Sequence, residues 1–583
     1  MLTLHVANRD YTEWKFIPDT DTDYDKEGIL TLSPLAAKLF HKDRLDQAGQ
    51  LVASPYRAKE NICGVLLSSQ KTYGRAISNN KLLYKCVPDD VHLPCFLVPY
   101  EEKNIGFNKK PTDKYITFKI KEWTEKHPHG LITNTFGEVE DTEAYVAYRM
   151  ACKEINDSLK ILNAMSLRSL REKTLDPLPL YCDNIAIEDR RAFHIFSIDP
   201  AGCTDIDDAL GIRTLPNGQT ILSIYIANVP MMLEYLQLWP YMTDRVASIY
   251  LPDKKIPMLP VALSENLCSF REKTDRIAFV MDIVIPLGWF SHPTTMDGFE
   301  RAETESLAIS FTSTIIQVEK NYTYQAAELL AREDYKTLLK TVRNLNETHF
   351  AYNDQIMSSH DVVEYCMLFM NHECAKKLES RKRGIFRTAV QKSEHNNVSS
   401  CPAELRQIVQ GVAGEYCSYA NLSPHTLIGV SCYLHITSPI RRIVDIVNML
   451  EMLGEKIKWS TEVIEFMEKW HKSLDTINIK TKAIRKLQNE MELLQDYAKN
   501  KQQIYTGLVF AKRLEENVST ADNAAATAPA TPLYKYKVYI PDTKLLTTVK
   551  SSKNINDYTT AHFSTHLFLD ETKMTKKIRL QML

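Results

Sequence analysis

The chain lacks most of the features that assign a function at a glance. It contains no run of eighteen apolar residues, and its opening, MLTLHVANRDYTEWKF, has neither a basic stretch nor a long apolar one. Neither a membrane span nor a secretory leader is expected from such a sequence. Twelve cysteines are scattered singly, with no C-x-x-C pair. That excludes the usual zinc and dithiol motifs and points to reduced thiols in an intracellular protein, cytoplasmic or nuclear. There is no G-x-x-x-x-G-K-[ST], no G-x-G-x-x-G after a strand and no H-E-x-x-H, so NTP-driven and zincin chemistries have no local support. An excess of charge is also missing: 71 basic side chains face 73 acidic ones, a net charge of −2. Composition alone does not suggest a nucleic-acid ligand, although a locally basic channel can exist inside a near-neutral protein.

What is present begins with size. With 583 residues, 44% of them apolar and 25% charged, this is an ordinary folded chain too long for one core, so several domains are expected. Its most informative stretch is Phe196-Ser-Ile-Asp-Pro-Ala-Gly-Cys-Thr-Asp-Ile-Asp-Asp-Ala-Leu210, which gathers Asp199, Asp205, Asp207 and Asp208. The stretch opens as a strand, turns at Pro200 and Gly202, and returns to apolar residues at Ile206, Ala209 and Leu210. An apolar frame of this kind places the acids at the mouth of a core. Crowded carboxylates repel one another, and burial raises their pKa values unless a cation compensates. Hard divalent ions suit oxygen ligands, with Mg²⁺ favoured and Mn²⁺ the alternative. An acidic surface loop is the other reading, while an EF-hand calcium loop fails on spacing.

The pattern Asp-x5-Asp-x-Asp-Asp resembles the catalytic acidic motif of the ribonuclease II/R family. Its wording is closest to the eukaryotic branch that includes the catalytic subunit of the RNA exosome. Downstream, Thr437-Ser-Pro-Ile-Arg-Arg-Ile-Val-Asp445 resembles that family's arginine motif. Tyr250-Leu-Pro-Asp-Lys-Lys-Ile-Pro-Met-Leu-Pro260, followed by Leu263-Ser-Glu-Asn-Leu-Cys-Ser269, resembles its intervening segment. The resemblance is strong over residues 185–500 and looser outside.

The resemblance implies a processive 3′→5′ exoribonuclease that hydrolyses single-stranded RNA to 5′-monophosphates, with Mg²⁺ held by Asp199, Asp205, Asp207 and Asp208. It makes Asp207 the aspartate tied to hydrolysis. In an extended segment Asp207 and Asp208 face opposite ways, so one can ligate metal while the other orients water. Arg441 matches the family arginine that approaches the scissile phosphate, a role suited to a fork of permanently charged donors, and Ser438 in the same motif is expected to contact the substrate. Tyr250 matches a tyrosine that packs on the terminal nucleotide. Phe311 falls where the family has a tyrosine, and Glu364 where it keeps an acid near the RNA 3′ end. The bland alternatives are that Arg441 or Arg442 pairs with Asp445, that Phe311 is core, and that Glu364 is a solvated helix residue. Tyr225 and Asn228 depart from a family His and Asp, and Val447-Asn-Met449 from Val-His-Arg. Fifty leading residues leave no room for the exosome subunit's endonuclease domain. A catalytically silent RNA-binding protein on the same fold remains a second reading, and a DNA exonuclease a third, because these residues do not reveal whether 2′-hydroxyls are read.

The expected architecture is α+β and multidomain. Residues 1–55 read as an irregular lead-in with an acidic run at Asp19–Asp25. Short strands separated by turn residues suggest OB/cold-shock-like barrels over 56–100 and 101–175. In the second, Lys114–Trp123 alternates like a half-buried strand, and helical periodicity covers Thr142–Lys173. Residues 185–500 form the mixed α/β catalytic domain. There Val363, Met367, Cys374 and Leu378 share one helix face, and one or two long helices span Thr461–Lys501. Residues 501–583, with a low-complexity loop at 523–532, resemble a diverged OB-type RNA-binding barrel.

Overall fold

The computed structural model describes residues 1–18, 32–46, 48–101, 111–173, 187–287, 307–352, 355–390, 402, 405, 413–500, 503–515, 532–543, 545–570 and 575–583. They form two compact units, Met1–Asn156 with Lys486–Leu583, and Asp157–Arg485.

The first unit starts with strands β1 (Leu2–Val6), β2 (Trp14–Pro18), β3 (Arg44–Leu45) and β4 (Leu51–Ala53), in the order β2-β1-β3-β4. An irregular lead-in was expected here. The strands escape a sequence reading because they are two to five residues long and draw their order from pairing across a long connection. Alternate residues Leu2, Leu4 and Val6 are buried against Phe40, Phe96 and Trp123 in one continuous core. The acidic run Asp19–Asp25 lies outside the described residues.

Strands β5 (Ile62–Leu66), β6 (Leu82–Pro88), β7 (Phe96–Tyr100), β8 (Lys114–Glu122) and β9 (His129–Glu138) close one barrel in the order β5-β6-β7-β9-β8. The two expected barrels are therefore one in this region. β5 pairs with β8 from Ile62↔Phe118 to Leu66↔Lys114, across the boundary drawn at residue 100. Lys114–Phe118 are buried without alternation. The helix Thr142–Cys152 packs on the barrel, stacking Tyr148 on Tyr115 at 4.4 Å and removing the outer face from water. The helical stretch 142–173 is two helices, Thr142–Cys152 and Lys160–Glu172, belonging to different units.

In the second unit a mixed sheet runs β10-β17-β16-β13-β12-β11-β18. Its strands are β10 (Glu188–Asp189), β11 (Phe196–Asp199), β12 (Asp208–Thr214), β13 (Thr220–Ala227), β16 (Asp275–Ile285), β17 (Ala308–Gln317) and β18 (Lys320–Thr323). A separate hairpin joins β14 (Ile249–Tyr250) to β15 (Lys255–Ile256), and β19 (Ile385–Val390) pairs with β20 (Ala413–Ser418). The central strands β13 and β16 are near-continuous apolar runs, as burial on both faces demands. Asp282 interrupts β16 and is answered by a bidentate Arg190 at 2.8 and 2.6 Å and by the Ser223 hydroxyl.

The helix Ser359–Ser380 opens with a capping box between Ser358 and Asp361. One apolar face is too narrow a description of it. Val362, Tyr365, Cys366, Phe369 and Met370 are buried as well, while Met367 is only partly covered. The cause is contact with β11, with the helix Glu333–Thr348 and with the helix Ile443–Leu453. Residues 461–499 form two helices, Thr461–Lys472 and Leu474–Lys499.

The C-terminal strands β21 (Ile504–Glu515), β22 (Leu533–Ile540), β23 (Leu545–Ser551), β24 (Thr559–Asp570) and β25 (Thr575–Met582) run β23-β22-β21-β24-β25. As in the barrel, the first strand sits between the second and fourth. Here the outer strands β23 and β25 approach each other without a hydrogen-bonded ladder. Residues 523–531 of the low-complexity loop lie outside the described residues. No helix among the described residues is long and apolar enough to cross a membrane.

Candidate active site

Because β11 and β12 are antiparallel, Asp199 at the end of one and Asp208 at the start of the other reach the same end of the sheet. The connecting loop turns at Gly202, whose φ of +80° suits a residue without a side chain. Ser269, fully buried, clamps the loop by accepting the Ile206 N–H at 3.0 Å and donating to the Thr204 carbonyl at 2.9 Å. Ser269 closes the stretch Leu263–Ser269, so that motif serves to hold the acids in place.

Asp207 is 4% exposed. It accepts the Ile440 N–H at 2.8 Å on one oxygen and Arg441 Nε at 3.2 Å on the other. Burial still pushes its carboxyl up to about 7 against these opposing contacts. The turn that delivers Ile440 and Arg441 is built by Asp445, buried at the start of the helix Ile443–Leu453. Asp445 accepts the Ser438 N–H at 2.7 Å and the Arg442 guanidinium at 2.8 Å. Arg442, not Arg441, thus makes the pairing with Asp445. Ser438 is buried and shapes this turn, rather than standing open as the expected substrate contact.

Asp205 is 7% exposed and accepts the Tyr250 hydroxyl on one oxygen and Lys255 Nζ on the other, each at 2.9 Å. Tyr250 and Lys255 are direct partners across the β14–β15 hairpin. Sequence reasoning passed over Lys255. Its only signal was a place five residues after Tyr250 in a segment already singled out.

Asp199 and Asp208 differ from the other two acids. Oδ2 of Asp199 is buried without a hydrogen-bond partner among the described residues, and burial pushes this carboxyl up to about 6. Asp208 is raised well above the usual carboxylate range, by burial first and then by the charges of Asp199 and Asp207. This orphaned oxygen and the half-buried Asp208 are a donor pair that fits a hard divalent cation.

Phe311 does not join the acids. It lies on β17, three strands from β12, stacked on Phe279 at 5.9 Å, and lines a cavity of about 220 Å³ with Lys377, Arg381 and Lys456. A second aromatic ring at the acids, besides Tyr250, is Tyr324. β18 runs parallel to β11 with Thr323 opposite Asp199, so Tyr324 follows directly. Its phenol is pushed up to about 12 by burial and then by Asp208 and Asp199. The alternation Tyr322-Thr-Tyr324 was the available signal. The His360 ring meets the Tyr324 ring edge-on at 5.1 Å.

Glu364 accepts the Tyr352 hydroxyl at 3.3 Å and, with His360 and Asp361, forms a group whose ligand atoms lie within 4.8 Å of one another. Asp361 is engaged in capping its helix, so this group reads as a helix start. The departures at Asn228 and Asn448 have structural work. Asn228 caps the helix Val229–Tyr235, and Asn448 bridges Ile385 and the His435 carbonyl.

Residues 187–355 match the family model described as RNB domain. Over this stretch the chain is similar to the RNB domain. The match includes the four aspartates and Tyr250 but ends before Arg441. Among curated proteins, Exosome complex exonuclease RRP44 homolog A of Arabidopsis thaliana is 28% identical over 244 residues, 40% of this chain and 24% of that protein. Human Exosome complex exonuclease RRP44 is 36% identical over 143 residues, 24% of this chain and 13% of that protein. DIS3-like exonuclease 2 of Schizosaccharomyces pombe is 30% identical over 179 residues, 29% of this chain and 18% of that protein. The chain thus spans a quarter or less of the length of these relatives. The fold is similar to that of Mycoplasma genitalium RNase R, solved with double-stranded RNA. The TM-score is 0.62 at 15% identity, covering 92% of this chain and 99% of that one. Yeast Ssd1, described as a pseudonuclease, matches with a TM-score of 0.55 at 13% identity, covering 86% of this chain and 66% of that one.

Proposed function

We propose that this chain is a 3′→5′ exoribonuclease that hydrolyses single-stranded RNA to 5′-monophosphates, with Mg²⁺ or Mn²⁺ as its cation. One observation carries the reading: a permanently charged arginine and a pair of incompletely neutralised, half-buried acids share one end of the sheet. Asp199 and Asp208 are the residues that would hold the cation. When bound, it supplies an activated water and stabilises charge on the attacking and leaving oxygens. The rest falls to the protein. Asp207 draws one edge of Arg441 inward, and the guanidinium, 45% exposed, keeps further N–H groups for a phosphate. Tyr250 and Tyr324 offer aromatic faces beside the acids for a terminal nucleotide.

The N-terminal barrel supports an RNA substrate. β6, β7 and the β8–β9 connection line a cavity of about 290 Å³ with Lys85, Lys126, His127 and Trp123. The Trp123 indole N–H is buried without a partner, and Lys126, Lys85, His129 and Lys38 add to burial in holding His127 below the ordinary imidazole range. Cations around an aromatic at this face of an OB-type barrel suit a single strand's phosphates and bases.

Incubation with 5′-labelled RNA and Mg²⁺, beside matched DNA and EDTA controls, tests the reading. A ladder shortening from the RNA 3′ end is expected. RNA bound but left intact points instead to the silent binding protein that the fold shared with Ssd1 brings to mind.

A further inference from the structure

We propose that Lys255 is a resident counter-ion for Asp205, so that the acidic loop takes one divalent cation, at Asp199 and Asp208, and not two. This rests on the metal-dependent reading above.

Four carboxylates at one sheet end invite two metals, since paired ions about 3.5–4 Å apart are common in phosphodiester hydrolysis. The hydrogen bonds divide the four differently. Both Asp205 oxygens are taken, by the Lys255 ammonium and the Tyr250 hydroxyl. Both Asp207 oxygens are taken, by the Ile440 N–H and by Arg441. The ammonium is itself held at three points: Asp205 at 2.9 Å, Thr204 Oγ1 at 2.8 Å and Glu265 at 2.8 Å. An ammonium has three hydrogens, so this set saturates it. With 19% of its side chain exposed and its backbone paired to Tyr250, Lys255 is built into the site and not draped over it. A metal at Asp205 must displace a cation that already satisfies that acid. A metal at Asp199 and Asp208 meets an oxygen with no donor.

Mn²⁺ titration of the full chain, stripped with EDTA and followed by calorimetry, tests the assignment without reference to catalysis. One ion per chain is expected. Asp205→Asn should keep that ion with affinity changed less than about tenfold, whereas Asp199→Asn or Asp208→Asn should weaken it by more than about a hundredfold. Lys255→Met should admit a second ion by uncovering Asp205. Two ions in the parent protein, or loss of the single ion in folded Asp205→Asn, overturns the role of Lys255. A folded parent that binds no Mn²⁺ overturns the metal reading itself. Should Lys255→Met fail to fold, the Asp205→Asn result still decides.

Discussion

At the β11–β12 end of the seven-stranded sheet, Asp205 and Asp207 have donors on every oxygen, while Asp199 keeps a buried oxygen with none among the described residues. At the mouth of the N-terminal barrel the imbalance is reversed. Arg9, Lys85, Lys126 and His127 line one cavity with a single acid, Asp10, and the buried Trp123 indole N–H has no acceptor among the described residues. One place is short of positive charge and the other of acceptors. Under the proposed function both deficits have a use, the first filled by a metal at the reacting phosphate and the second by the substrate backbone. Chemistry and holding should therefore separate under mutation.

The sharpest break is Asp207→Asn. Cleavage of labelled RNA should fall by more than about a thousandfold, while filter binding changes little, because Asn keeps the shape and loses the charge. The same acid gives a pH signature. Its proton is held more tightly folded than unfolded, so the metal-free fold is favoured at low pH and loses stability as pH rises from about 4 through about 7. The loss from Asp207 alone amounts to about 4 kcal/mol at most. Denaturant titrations with EDTA should show this slope in the parent and a shallower one in Asp207→Asn. An unchanged slope means that Asp207 stays ionised at low pH.

Asp282→Ala probes burial without chemistry. It removes the bidentate partner of Arg190, leaving Glu188 as its remaining acid, and should cost about 3 kcal/mol, read as a lowered denaturation midpoint, without altering the cation affinity of the acid loop. Next comes Arg441→Lys, which keeps the charge and loses the fork. Turnover should drop about a hundredfold with a smaller change in binding. A collapse of affinity with normal turnover would make Arg441 an anchor only. The smallest effect belongs to the barrel. Lys85→Glu with Lys126→Glu should weaken long-RNA binding about tenfold and lower the salt slope by one to two, leaving cleavage of a short oligomer intact. An equal loss on the short oligomer would erase the distinction between the two places.

The N-terminal barrel and the C-terminal sheet share a strand order, yet only the first closes through hydrogen bonds, by the single β7–β9 bridge at Leu97 and His129. Alternation and turn residues revealed the strands of both. They could not reveal that β5 seeks β8 fifty residues away, so one barrel was read as two. Phe311 and Tyr324 teach the same lesson. Each is an aromatic at a strand, and only the parallel pairing of β18 with β11 brings Tyr324 to Asp199.

From the sequence alone came what local chemistry can specify: four acids in an apolar frame, a pair of arginines in the stretch Thr437–Asp445, and the periodicities of strands and helices. Those depend on neighbours along the chain, where spacing of 2 or 3.6 residues is decisive. Tertiary structure alone decided the partners. It set Lys255 on Asp205 through a two-residue hairpin, Arg441 on Asp207 across more than two hundred residues, and Asp199 without a donor. Burial and hydrogen-bond satisfaction belong to contacts between distant segments, and so does the charge balance that determines what each acid can bind.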